Sequence, residues 1–371
     1  MEKHRKHSLL KKRNTGDFAS NEIAILGTKC SIISDLVQNI AKKLTKEAKI
    51  AYLDASHKTD ISIPKLDSFT FHHSGGLDQN IGDSMNRYND KVRFSSYDLL
   101  FINGNHYQGE QQILILDEEK ESSVLKRIDQ LQNIQFVIKL NEESKYFDFL
   151  EQKYPTIKNL HCYSILEIEK ISNHIENIIQ QKIAPVQGLV LAGGKSIRMG
   201  TDKGLLNYHG KAHRDLSIEM LKKLKLNTYL SVRKEQEIEN TQTIEDVFIG
   251  LGPFGAICSA FQSDPNSAWL VLATDVPFVD IKILNTLLEK RNPTKIATAI
   301  KGKNKDFPEP LITIWEPKSY PVLLSYLAQG ISCPRKVLIN NDVQIVEIDD
   351  AIIRNINTPE EFELVKKEIN G

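Results

Sequence analysis

Apolar positions along this chain fall into two rhythms. Short, mostly apolar runs such as Glu22 to Leu26, Tyr97 to Ile102, Gln111 to Leu116 and Ile134 to Leu140 read as buried strands. Between them lie stretches with apolar residues three and four apart. From Ser31 to Leu44, residues Ile32, Ile33, Leu36, Val37, Ile40 and Leu44 share one helical face. Helices are also predicted over 122–131, 142–153 and 167–181, with strands over 49–53 and 161–165. The stretch from Ser56 to Phe94 shows neither rhythm and is expected to be irregular.

The alternation restarts after Ala184-Pro185, where a proline ends the helical pattern. Strands are predicted over 186–191, 228–232, 243–245, 268–273, 296–300, 309–315 and 343–348. Helices are predicted over 215–224, 235–239, 254–261, 281–289, 320–329 and from Pro359 onward. Strands alternating with helices give an α/β fold in both halves, with a mainly parallel sheet in the first. The expected organisation is a mobile basic tail over 1–20, one α/β domain over 21–183 and a second over 184–371.

Composition narrows the class. The 371 residues hold 48 basic and 48 acidic side chains, a formal balance of zero, which argues against nucleic acid or an anionic membrane as a partner. No apolar run is long enough for a membrane span, and no apolar segment follows the basic start, so a cytoplasmic protein is expected. Cys30, Cys162, Cys258 and Cys333 lie far apart without zinc spacing and read as free thiols. His57, His72 and His73 read as solvent-exposed loop histidines.

Two glycine turns follow strands. At Gly27 the order strand, loop, helix, strand resembles a P-loop domain. A phosphate-loop motif counted from Gly27 places Ile32 at its second glycine and Ile33 at its lysine, and only Ser34 fits. Isoleucine there blocks close phosphate approach and removes the charge, so this domain is read as a degenerate P-loop-like fold without nucleotide binding. The second turn, Gly188-Leu-Val-Leu-Ala-Gly-Gly-Lys-Ser-Ile-Arg-Met-Gly-Thr-Asp-Lys-Gly204, joins a buried strand to a loop carrying Lys195, Arg198 and Lys203. Glycines at 193 and 194 let backbone N–H groups approach a polyphosphate while the cations offset its charge.

Acidic residues stand at comparable places. Asp246 and Asp275 each follow a predicted strand, and open α/β sheets bind ligands at that edge. Asp275 ends the apolar run Trp269 to Ala273, where a carboxylate is costly unless paired or metal-bound. Asp280 is the better cap for the helix that begins at Ile281. One carboxylate and a nucleoside triphosphate satisfy Mg²⁺, with Arg198 and Lys203 offsetting charge on the phosphates.

Residues 188 to 203 resemble the signature L-A-G-G-x-S-x-R-M-G-x-D-K of the molybdenum cofactor guanylyltransferases, the MobA family. The similarity continues at Ile244-Glu245-Asp246, Gly252-Pro253 with Gly255, Thr274-Asp275-Val276-Pro277, Glu309-Pro310-Leu311 and Asn357-Thr358-Pro359. More faintly, the first half is similar to the MobB adaptor, with Asp98 to Gly104 carrying Asn103 where that family tends to have an acid. The resemblance implies a Rossmann-like nucleotidyltransferase fold. It implies that Leu191, Ala192, Gly193 and Gly194 contact the guanine nucleotide, Lys203 its phosphates and Asp246 the nucleoside. Ser231 stands where the family often has asparagine, Asn357 is placed at the metal or pterin side, and Asp275 is the implied Mg²⁺ ligand. The implied reaction moves GMP from GTP to molybdopterin, with Arg198, Lys203 and Asp275 as the catalytic set. Implied partners are GTP, molybdopterin and, on the protein side, molybdoenzyme apoproteins or other cofactor-biosynthesis proteins. Another nucleotidyltransferase, using CTP or a sugar phosphate, and a non-catalytic nucleotide-binding accessory protein remain as alternatives.

Overall fold

The computed structural model describes residues 9–45, 47–56, 67–73, 75–81, 86–191, 210–233, 241–356 and 358–370. Two compact units emerge, one of Thr15–Lys182 and one of Met1–Asn14 with Ile183–Gly371. Among the described residues no helix is long and apolar enough to cross a membrane.

The Thr15–Lys182 unit runs β1 (Glu22–Leu26), α1 (Cys30–Leu44), β2 (Ile50–Leu53), β3 (Ser68–Phe71), β4 (Leu77–Asn80), α2 (Arg87–Phe94), β5 (Leu99–Asn103), β6 (Gln111–Leu116), α3 (Glu121–Lys126), β7 (Ile134–Lys139), α4 (Asp148–Lys153), β8 (Cys162–Ser164) and α5 (Ile168–Gln181). Six strands form a parallel sheet in the order β2-β5-β1-β6-β7-β8. Strands β1, β5 and β6 are buried along their whole length, as their mostly apolar runs predict. The apolar face of α1, with Ile33, Leu36, Val37, Ile40 and Leu44, packs with Ile171, Ile175 and Ile178 of α5 over Ile23, Ile25, Phe101 and Ile113. Leu26, Leu114, Val124 and Leu150 fill the other face. Within the stretch expected to be irregular, β3 and β4 pair as an antiparallel hairpin and α2 is capped by Asn86, which accepts from Tyr88 and Asn89.

The other unit runs β9 (Val186–Leu191), α6 (His213–Lys223), β10 (Thr228–Val232), β11 (Thr243–Glu245), α7 (Pro253–Ser263), β12 (Ala268–Ala273), α8 (Ile281–Glu289), β13 (Ala297–Gly302), β14 (Glu309–Trp315), α9 (Ser319–Ala328), α10 (Pro334–Ile339), β15 (Val343–Ile348) and α11 (Pro359–Asn370). Its seven-stranded sheet has the order β11-β10-β9-β12-β14-β13-β15. The sheet is mixed: β11, β10, β9 and β12 run parallel, whereas β14 is antiparallel to both β12 and β13. The short helix expected over 235–239 lies outside the described residues.

Alternate residues of β9 and β12 point to opposite faces. Val190, Leu270 and Leu272 pack under Ile218 and Leu221 of α6 and Leu284 and Leu287 of α8. Leu189, Trp269 and Val271 pack under Phe254, Ile257 and Phe261 of α7 and Leu323 of α9. Arg291 donates to both carboxylate oxygens of Glu316, at 2.7 and 2.8 Å, and at 2.8 Å to the carbonyl of Ala184. This buried fork ties the residues before β9 to the end of β14. Residues 9–14, expected as part of a mobile tail, are held on this unit. Lys11 pairs with Asp264 at 2.8 Å, and Asn266 bonds the backbone of Lys12 and Asn14 at 2.9 and 2.6 Å.

Candidate active site

The four parallel strands of the second sheet end on one edge, and register places their last residues side by side. Leu191 of β9 lies opposite Ser231 of β10 and Ala273 of β12, and Val232 lies opposite Glu245 of β11. Asp246 and Asp275 therefore flank Leu191, one beyond β11 and one beyond β12. The sequence placed both at strand ends, and the sheet order puts those ends on the same edge.

Thr274 begins the exit from β12. It is buried, and its hydroxyl donates to the Leu191 carbonyl at 3.2 Å, locking the end of β12 to the end of β9. Asp275 follows, half-buried, and its carbonyl accepts from the Ile356 amide at 3.0 Å. That bond brings the segment leading to α11 beside the end of β12. Asp280 caps α8 by accepting from the amides of Lys282 and Ile283, both at 3.0 Å, which leaves Asp275 outside that capping role.

Asp246 continues the β11 ladder, its amide donating to the Val232 carbonyl at 2.8 Å. Ser231 donates to its Oδ1 at 2.7 Å. Burial pushes the Asp246 carboxyl above the usual carboxylate range, while the Ser231 hydroxyl and the charge of Arg233 pull it back. The loop beyond Asp246 is fixed from below. Ser259 of α7 accepts from the Val247 amide at 3.0 Å and donates to the Gly255 carbonyl at 2.8 Å. Gly255 has no room for a side chain, since a Cβ there would lie 2.2 Å from the Phe248 carbonyl oxygen. Gly252, with φ of 56°, turns the chain into Pro253 at the first helical position.

Of the residues singled out in the sequence, Leu191, Ser231, Asp246 and Asp275 are thus gathered on one edge. Ala192, Gly193, Gly194, Lys195, Arg198, Lys203 and Asn357 lie outside the described residues. The structure adds Thr274, Arg233 and Ser259. A cation placed directly after a β10 strand end was a signal for Arg233, whereas Ser259 sits mid-helix in the sequence and gives none.

The donor set suits a divalent cation that arrives with its ligand. Among the described residues no three His, Cys, Asp or Glu side chains form a metal cage. A single carboxylate at the open end of β12 matches a cation that completes its shell with phosphate oxygens and water.

Comparison with known proteins shows what the same region is similar to. The family model described as a MobA-like NTP transferase domain matches residues 188–344. The chain is 31% identical over 214 residues to a molybdenum cofactor biosynthesis bifunctional protein of Synechocystis sp., covering 56% of this chain and 62% of that protein, less than two thirds of its length. It is 26% identical to a probable molybdenum cofactor guanylyltransferase of Flavobacterium johnsoniae over 47% of this chain and 92% of that protein. Among solved structures it is similar to molybdopterin-guanine dinucleotide biosynthesis protein A of Archaeoglobus fulgidus, at 24% identity and TM-score 0.43, over 50% of this chain and 98% of the other.

Proposed function

We propose that this chain, whose residues 188–344 match a MobA-like NTP transferase domain, transfers GMP from GTP to molybdopterin. An oxygen of the acceptor's terminal phosphate attacks the α-phosphorus of GTP, the bond to the β-phosphate oxygen breaks, and pyrophosphate leaves. The observation that carries this reading is the pair of carboxylates, Asp246 and Asp275, flanking Leu191 on one sheet edge.

The residues divide the work by chemistry. Asp246, oriented by Ser231, accepts hydrogen bonds from the nucleoside. Leu191, Ala192, Gly193 and Gly194 line the guanine nucleotide. Lys203 and Arg198 offset the charge that builds on the phosphates, and their catalytic role is positional and electrostatic. Asp275 is the residue that would hold Mg²⁺, which when bound supplies charge stabilisation at the phosphates. Glycine at 193, as the resemblance implies, favours GTP over CTP.

The test is pyrophosphate release from the full chain with each nucleoside triphosphate in turn and either molybdopterin or a sugar phosphate as acceptor. Release that needs GTP, molybdopterin and a divalent cation supports the proposal. Release with a sugar phosphate and none with molybdopterin overturns it.

A further inference from the structure

The Thr15–Lys182 unit carries a separate cluster at the carboxyl edge of its own sheet, made by the ends of the neighbouring strands β2, β5 and β1. Beyond β1, Gly27 turns the chain with φ of 100°, and a Cβ there would lie 2.2 Å from the Ile115 carbonyl oxygen. Thr28 donates its hydroxyl to Asp117 at 2.7 Å. Lys29, at the N-cap, supplies no side-chain cap to α1. The N-cap position of this 15-residue helix thus offers its first-turn amides no side-chain acceptor.

Cys30 is the first residue of that helix and is half-buried. Its Sγ lies 3.3 Å from His106 Nε2 and 3.6 Å from Asn105 Nδ2, which donates to it. His106 Nε2 also lies 3.9 Å from Asp54 Oδ1. Each partner is held in place. Asn105 donates to the Thr28 carbonyl at 2.9 Å and accepts from Arg127 at its own carbonyl at 2.8 Å. Asp54 accepts from Asn103 at 2.8 Å and from the Tyr52 hydroxyl at 2.9 Å. Burial and the Asp54 carboxylate raise the Tyr52 phenol well above its ordinary value, which keeps the proton it donates.

Sulfur, imidazole and carboxylate thus converge where a phosphate loop would sit, and the lysine such a loop needs is Ile33. We propose that Cys30, His106 and Asp54 form a reversible thiolation site for small anionic disulfides. Cys30 Sγ attacks one sulfur of the incoming disulfide, a new S–S bond forms, and the old one breaks. The Cys30 proton passes to His106 and from there to the departing thiolate, so the exchange consumes nothing besides the disulfide. Asp54 is a positioning residue that acts through the imidazole. The anionic preference follows from the uncapped helix end.

The product is a mixed disulfide with the small molecule, because no second cysteine of this unit is at hand to resolve it. Cys162, the other thiol of this unit, sits on β8 at the far edge of the sheet from β2. A thiol from solution reverses the modification by the same exchange.

The experiment uses the reduced full chain with dithiobis(nitrobenzoate), a dianionic disulfide, quenched at intervals and assigned by peptide mapping. Cys30 is expected to react roughly tenfold faster than Cys162 and Cys333, although both of those are more exposed. His106→Gln is expected to remove that advantage and to move the pH at which the Cys30 rate rises, and Asp54→Asn to move the same profile by less. Neutral dithiodipyridine is expected to show a smaller preference for Cys30. Slow hydrogen exchange of the β1 and β5 amides in each variant reports that this unit is still folded. A wild-type Cys30 no faster than Cys162 and Cys333 overturns the proposal without any variant. So does a His106→Gln protein with those amides protected and an unchanged Cys30 rate and pH profile.

Discussion

Both units of this chain end buried strands, β1 and β9, at the carboxyl edge of a parallel array, and they equip that edge differently. In Thr15–Lys182 the edge carries Cys30, His106 and Asp54, with isoleucine at the two positions where a phosphate loop needs glycine and lysine. In the other unit the edge carries Asp246, Thr274 and Asp275 around Leu191. Topology delivers the place of the proposed site in both, and the side chains at the strand ends decide its chemistry. The difference is one of charge and nucleophile: carboxylates that suit a cation and a nucleoside on one sheet, a thiol and an imidazole on the other.

That contrast breaks most sharply at Asp275. Asp275→Ala is expected to lower the proposed guanylyl transfer by about 10²–10³-fold at saturating Mg²⁺ while leaving the unfolding midpoint in place. Turnover within a few-fold of the parent would remove the proposed metal role. Arg291→Ala tests whether the second unit's edge depends on its buried fork. With Glu316 left unpaired in the core, a loss of roughly 3–5 kcal/mol is expected. Both tryptophans of the chain, Trp269 and Trp315, are buried in this unit, so their fluorescence during urea unfolding reports it directly.

Asp246→Asn separates binding from stability. Burial raises the Asp246 carboxyl in the folded chain, so the native state holds that proton more tightly than the unfolded chain. Its contribution to stability therefore rises as pH falls through the raised value and is lost as pH rises through it. The variant is expected to be slightly more stable than the parent near neutral pH, with the difference shrinking in acid. Nucleotide affinity is expected to weaken about tenfold, since asparagine cannot accept at both oxygens. Calorimetric titration with GTP beside unfolding midpoints from about pH 7 to about pH 4 checks both signs.

The smallest expected effect comes from removing the first unit. A fragment of residues 183–371 is expected to keep transfer within about threefold, as independent sites do. It loses the half-exposed Lys11–Asp264 pair, an interaction of about 0–1 kcal/mol. Complete loss of activity in a folded fragment would show that the first unit completes the site.

Much of this arrangement was legible in residue pattern. The runs that became β1, β5, β6, β9 and β12 are mostly apolar because both their faces are covered, and the spacing in α1 and α5 is that of one-sided burial. The hairpin of β3 and β4 was not legible, because Phe69 and Phe71 are exposed and the strands show no buried face to alternate with. Helix α10 was missed for its brevity, a single short stretch opened by Pro334. In the site, Asp246 and Asp275 announced themselves by following strands.

By itself the sequence determined the alternation of strands and helices, the break at Ala184-Pro185, the loss of a phosphate lysine at Ile33 and the presence of acids at strand ends. These are local properties, set by burial period and by residue type at a turn. Only the tertiary structure decided the strand order, and with it every pairing across the chain. The reversal of β14 between β12 and β13 depends on ladder hydrogen bonds among strands 30 or more residues apart in places, which no local pattern encodes. The buried Glu22 carboxylate accepts the amides of Asp17, Phe18, Ala19 and Glu110, and the last of these partners is 88 residues away. Cys30 and His106 stand 76 residues apart and meet only because β1 and β5 are neighbours. A side chain's type is written in the sequence, but the group it faces is fixed by which backbone edges satisfy one another.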